Sequence, residues 1–158
     1  MEKYDEKKNK IFVDADACPV KEEILSIAGT YNINVVFVAS YAHVMSNPMG
    51  GKWVYVDAEK EAADLYIMNH ANNKDIVITQ DTGLASILVN RGVTVISPRG
   101  KEFKEEDMEQ ILHFRFLSAK ERRNGSYSKG PKPFTDEDRQ HFTKTFKKSL
   151  SNIAGFKL

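Results

Sequence analysis

The stretch Ile11-Phe12-Val13-Asp14-Ala15-Asp16-Ala17-Cys18-Pro19 constrains this chain more than any other. Its start is apolar, β-branched and aromatic, which reads as a buried strand. The strand ends on two carboxylates. Pro19 then stands where a helix can begin, because proline tolerates the first helical turn. Two acids are thus delivered to the carboxyl end of a strand, the place at which open α/β sheets bind their ligands.

Beyond Pro19 the chain alternates helix and strand. Val20 to Tyr31 reads as a helix closing near Gly29, and Asn34 to Ser40 as a strand whose continuous apolar run expects cover on both faces. Residues 41–51 form a loop by their Asn-Pro and Gly-Gly content. Trp53–Val56 is a third strand, and Ala58 to Ala71 a helix with Asp57 placed as its N-cap. Ile76–Thr79, Thr82–Asn90 and Val93–Ile96 complete a strand, a helix and a strand. Such alternation implies parallel βαβ units, and right-handed crossovers put helices on both faces of the sheet.

After Ser97-Pro98-Arg99-Gly100, Glu105 to Arg123 reads as an amphipathic helix carried by Met108, Ile111, Leu112, Phe116 and Leu117. A Gly/Pro/Ser-rich basic connector spans 124–134. Thr135-Asp136-Glu137-Asp138 then resembles a cap with acids in the first turn of a last helix using Phe142, Phe146 and Leu150. The expectation is one domain over 1–158, with a charged tail (1–9), an α/β core (11–100) and a C-terminal helical extension (104–158) packed on that core.

Composition excludes several classes. No apolar run approaches the roughly 18 residues of a membrane span. The N-terminus lacks the apolar core of a signal peptide, and the single cysteine, Cys18, makes neither an internal disulfide nor a Cys-rich metal site. A cytoplasmic protein is expected. Net charge is only +1, but residues 120–158 hold 10 Lys+Arg against 4 Asp+Glu, and residues 1–119 hold 13 against 18. An acidic body with a basic C-terminal segment suits a polyanion held through metal on one side and through lysine or arginine on the other.

Asp14 and Asp16 end the first strand and Asp81 follows the fourth; if those strands are neighbours, the carboxylates meet in one crevice. Asp64 lies in Ala62-Ala63-Asp64-Leu65-Tyr66-Ile67-Met68, apolar nearly all round, with only Lys60 as a basic residue within a turn. A charge there is expensive unless paired or metal-bound. Clustered carboxylates with oxygen-only ligands select Mg²⁺ or Mn²⁺, which can activate a water and neutralise charge on a phosphodiester. Asp16 and Asp81 also read as helix caps, and Asp64 as a hydrogen-bonded structural acid. Cys18 reads as a small buried residue.

Residues 11–100 resemble a PIN-like nuclease domain, and the whole chain resembles the YaiI/YqxD family of PIN-like proteins. The resemblance rests on Val13-Asp14-Ala15-Asp16-Ala17-Cys18-Pro19-Val20-Lys21, Ala63-Asp64-Leu65-Tyr66-Ile67, Ile78-Thr79-Gln80-Asp81 with Leu84-Ala85, and Ser97-Pro98-Arg99-Gly100. Arg123-Asn124-Gly125, Gly130-Pro131, Asp138-Arg139 and Phe142 extend it. It implies a three-layer sandwich with a five-stranded parallel sheet ordered 3-2-1-4-5 and extra C-terminal helices. It further implies catalytic acids at Asp14, Asp16, Asp64 and Asp81, with Asp14, Asp64 and Asp81 as ligands of Mg²⁺ or Mn²⁺. PIN domains also carry an acid in or near the first helix, for which Asp16, Glu22 and Glu23 are all candidates.

The implied activity is metal-dependent hydrolysis of RNA. Two other readings compete. One is a non-catalytic nucleic-acid-binding or regulatory module; the other, suggested by Asp14-Ala15-Asp16 after an apolar strand, is a haloacid-dehalogenase-like phosphatase with the first Asp as nucleophile. RNA contacts are expected from Arg122, Arg123, Lys129 and Lys132, with Tyr127 interleaved for stacking, and from Lys21, Arg99 and Arg139 in the matched motifs.

Overall fold

A strand such as Val35–Val38, apolar at successive positions, has no side to give to water, so both of its faces need covering. The computed structural model, which describes residues 9–44, 50–59, 61–123, 125 and 132–154, meets that need with helices on both sides of one sheet. In chain order the elements are β1 (Lys10–Asp14), α1 (Lys21–Thr30), β2 (Asn34–Ser40), β3 (Lys52–Val56), α2 (Ala62–His70) and β4 (Ile76–Ile78). They continue with α3 (Thr82–Asn90), β5 (Thr94–Ile96), β6 (Glu102–Phe103), α4 (Glu105–Arg123) and α5 (Asp136–Ala154). No helix among the described residues is long and apolar enough to cross a membrane.

The sheet runs β3-β2-β1-β4-β5-β6. The first five strands are parallel and in the expected order; the sixth, β6, is antiparallel to β5 and corrects the five-strand expectation. After β5 the chain reverses through Ser97–Lys101, where Ser97 N donates to Lys101 O at 2.8 Å. Phe103, 7% exposed, then closes the sheet edge. Two residues are too few to show a strand period, which is why β6 left no trace in the pattern.

Alternation sorts the sheet into two cores. Ile11, Val13, Val35, Phe37, Ile76 and Ile78 face α1 and α5, while Phe12, Val36, Val38, Val77 and Val95 face α2, α3 and α4. Phe142, Phe146 and Leu150 of α5 are fully buried on the first of these faces, so the last helix belongs to the core. Its start is a capping box: Asp138 N donates to Thr135 Oγ1 at 3.1 Å and Thr135 N donates to Asp138 Oδ2 at 3.0 Å.

α1 closes as expected, ending at Thr30 beside Gly29 and turning through Asn32 at φ 56°. Two other features differ from expectation. α2 begins four residues later than the apolar pattern suggests, so Asp57 does not cap it. α4 buries Met108 and Ser118, but Phe116 and Leu117 are 58% and 43% exposed. Those two positions turn away from the strip that packs on the body, a distinction that helical spacing alone does not carry.

Ser97-Pro98-Arg99-Gly100 is the seat of α5. Arg99 Nη1 pairs with Asp138 Oδ2 at 2.7 Å, and its guanidinium also donates to the carbonyls of Lys132 and Pro133. Arg139 Nη1 pairs with Glu23 Oε1 at 2.8 Å and donates to Pro19 O at 3.0 Å, tying α5 to α1. Both guanidiniums flank the Phe134 ring, at 5.8 and 5.1 Å. Gly100 sits at φ +93°, and a Cβ there would lie 2.7 Å from backbone atoms of His141 and Phe142. Gly100→Ala therefore combines left-handed strain with a collision against helix backbone, and should lower stability by on the order of 2–4 kcal/mol. Urea unfolding of the two proteins checks this; equal midpoints would show that α5 does not press on this turn.

Candidate functional site

β1 lies between β2 and β4, with Asp14 in register with Val38 and Val13 in register with Ile78. The three strands thus deliver their carboxyl ends side by side. Asp14 falls on the same alternate as Phe12, toward α2 and α3. After β1 the chain makes a 3-10 turn over Ala15–Ala17, which Gln80 pins by donating from Nε2 to Ala17 O at 2.9 Å.

Thr79, just past β4 and 1% exposed, organises two of the acids. Its hydroxyl donates to Asp14 Oδ2 at 3.1 Å and accepts from the backbone N–H of Asp81 at 3.0 Å. Asp81 in turn caps α3, its Oδ1 accepting from Leu84 N at 3.0 Å. Asp16 is fixed from the other side, its two oxygens accepting from Ser40 N at 3.1 and 3.2 Å. Asp64 projects from the first turn of α2.

These four acids line one cavity of about 330 Å³ at the strand ends, together with Asp57 and Glu59. Among the described residues its lining holds six carboxylates and no lysine or arginine; Lys60 lies outside them. Burial, only partly offset by the Thr79 hydrogen bond, raises Asp14 above the ordinary carboxylate range, and the charges of Asp16 and Asp81 raise it further. Asp64 is pushed up to about 7, first by burial, then by the charge of Asp81 and a hydrogen bond to its carboxyl, then by Asp14 and Glu61. A carboxyl that donates to a neighbouring carboxylate must hold a proton, the form of Asp64 that this environment favours.

The donor set is oxygen only, the chemistry of Mg²⁺ or Mn²⁺. Among the described residues, however, no three His, Cys, Asp or Glu side chains stand arranged to hold a metal ion as they are. Asp14, Asp64 and Asp81 share a cavity without closing round a common point.

The basic candidates are placed differently. Lys21 Nζ donates to Cys18 O at 3.0 Å. Arg99 and Arg139 are engaged by Asp138 and Glu23 and work as struts for α5. The backbone N–H of Thr135, and after it the Arg99 guanidinium, hold Asp138 below the ordinary range. Arg122, Arg123 and Lys132 are exposed, while Tyr127 and Lys129 lie outside the described residues. Cys18 is 6% exposed and its thiol is pushed up to about 11, chiefly by burial, so it stays protonated.

Sequence reading missed Thr79, Ser40, Asp57 and Glu59 as parts of this site. Asp57 carried a usable signal, since it follows β3 as Asp14 ends β1. Thr79 looked like one more β-branched strand residue.

The shift of Asp64 has a defined sign. Its folded value, about 7, lies above the ordinary 3.8, so folding favours the protonated form. Its contribution is present below 3.8 and is lost as pH rises to about 7. Asp64→Asn, neutral throughout and still able to donate to Asp81, should therefore raise the melting temperature above pH 7 and leave it nearly unchanged below 3.8. Thermal scans of both proteins across this range test the raised value of Asp64; a pH-independent difference would dismiss it.

The molecule also has relatives. A family model described as uncharacterized, of the YaiI/YqxD family, matches residues 12–152. The chain is 53% identical over 147 residues to a UPF0178 protein of Bacillus cytotoxicus, covering 93% of this chain and 96% of that one. It is 52% identical over 151 residues to a UPF0178 protein of Bacillus velezensis, covering 95% and 90%. A UPF0178 protein of Listeria welshimeri is 50% identical over 143 residues, covering 90% and 96%. No solved structure matches. With nearly its whole α/β body and both C-terminal helices inside that match, the chain belongs to the YaiI/YqxD family.

Proposed function

We propose that the fold is PIN-like and that the protein is a ribonuclease dependent on Mg²⁺ or Mn²⁺, hydrolysing phosphodiesters of RNA at the acidic cavity. One observation carries this reading: six carboxylates converge at the strand ends with no described cation to neutralise them, and burial and the charge of Asp81 push Asp64 up to about 7. Such a site is built to receive positive charge. Asp14, Asp64 and Asp81 would hold the cation, which supplies an activated water and offsets charge on the phosphodiester.

The protein's own groups prepare that site. Thr79 holds Asp14 in one rotamer and fixes the Asp81 backbone, Leu84 N–H orients the Asp81 carboxylate, and Ser40 N–H keeps Asp16 at the rim. A cation held there would favour the ionised form of Asp64. RNA approaches over Arg122, Arg123, Lys129 and Lys132, whose charges meet phosphates. Arg99 and Arg139, already paired, contribute through the position of α5. The open arrangement of the acids favours a second reading, an RNA-binding module without turnover.

Mn²⁺ at millimolar concentration should raise the melting temperature of the parent by mass action and leave that of Asp14→Asn nearly unmoved. Cleavage of a single-stranded RNA should require the metal and disappear in Asp14→Asn while binding persists. Replacing Arg122, Arg123, Lys129 and Lys132 by alanine should flatten the salt dependence of binding by about 3, at roughly 0.7 per phosphate contact. Binding without metal-dependent cleavage in the parent would leave the module; no metal response at all would remove the cation site.

A further inference from the structure

The outer side of α4 is apolar where solvent should be. Phe114, Phe116 and Leu117 are 67%, 58% and 43% exposed within one turn in the middle of a 19-residue helix. At about 3.6 residues per turn, Leu117 points away from Met108, Ile111 and Ser118, which face the body, with Phe114 about 60° to one side of it and Phe116 about 100° to the other. Given the size of these side chains, the exposed apolar surface is roughly 300 Å² per copy, enough for the centre of an interface but not for a whole one.

The charges on the same helix say what would cover it. Along the outer stripe lie Glu106, Glu109, His113, Leu117 and Lys120, all exposed, with acids toward the N-terminal end and the base toward the C-terminal end. The whole helix repeats this polarity, with Glu105, Glu106 and Asp107 in its first turn and Lys120, Arg122 and Arg123 in its last. A surface that is acidic at one end, apolar in the middle and basic at the other complements itself when turned end for end. That is the condition for an isologous contact.

We infer that α4 docks on α4 of a second copy of this chain, antiparallel, about a twofold axis near His113. Leu117 lies at the centre with Phe114 and Phe116 on its two flanks, and Glu106 and Glu109 meet the partner's Lys120 at each end. Arg122 falls by the same spacing on the Ile111 side, away from the contact, whereas Arg123 falls beside Phe116 at its edge. The acidic cavity, built from other elements, is untouched by the pairing.

Sedimentation equilibrium on the full chain reads the association directly. The parent should run at twice its 17.9 kDa mass. Phe114→Ser with Leu117→Ser should give the monomer, with an unchanged far-ultraviolet spectrum because both side chains are exposed. Glu106→Lys with Glu109→Lys should weaken association about tenfold or more, by setting lysines against Lys120, and Lys120→Glu in that background should restore it. A parent that stays monomeric at its highest attainable concentration overturns the inference. So does a dimer indifferent to the serine pair, or a charge reversal that the third substitution fails to rescue.

Discussion

β1 has neither a free edge nor a wet face. β2 and β4 take its hydrogen bonds, and two helical layers take its side chains, so Ile11, Phe12 and Val13 are at most 1% exposed. A strand so enclosed can present polar groups only where it ends. Because its neighbours are parallel, they end at the same level and with the same freedom. The gathering of acids at Asp14, Ser40–Asp57 and Thr79–Asp81 is thus a consequence of the sheet. Loops that extend from parallel strands have one common place to put their carboxylates.

Placing six acids there costs free energy, and the structure distributes the cost over identifiable groups. Thr79 and two backbone N–H groups, those of Ser40 and Leu84, each stabilise a carboxylate without introducing a full positive charge. The remaining repulsion shows in Asp64, which burial and the charge of Asp81 push up to about 7. Cations are meanwhile plentiful elsewhere: Arg99 and Arg139 stand on the side of the sheet that α5 covers, spent on Asp138 and Glu23. The separation of charge along the sequence is therefore partly a structural one. Arg139, one of the basic residues at the C-terminal end, holds the last helix down.

Much of this is legible in the order of residues alone. Continuous apolar runs at Ile11–Val13 and Val35–Val38 indicate buried parallel strands, because their pattern excludes a half-wet sheet. Asp14 and Asp64 stand out because each is a charge next to apolar neighbours, and Asp81 because it follows the end of a buried strand. What escapes has common causes. Phe103 joins the sheet through two residues, too short a stretch for any period. Thr79 acts through a hydroxyl that strand propensity conceals. Asp57 is absorbed into a helix that starts only at Ala62, and Phe116 and Leu117 obey helical spacing without facing the body. Periodicity tells which residues share a helix face, but not whether anything of the same chain lies against it.

α5 comes after every strand in the chain, yet Phe142, Phe146 and Leu150 complete the core on the α1 side of β1. On a ribosome the sheet can be assembled in order while that side remains without its lid. Ile11, Val13, Ile76 and Ile78 then wait for a helix that has not left the exit tunnel. Contacts between residues so far apart in sequence are made late and keep folding slow. A nascent chain stalled before α5 therefore exposes the part of this aliphatic face that α1 does not cover, the kind of surface chaperones hold.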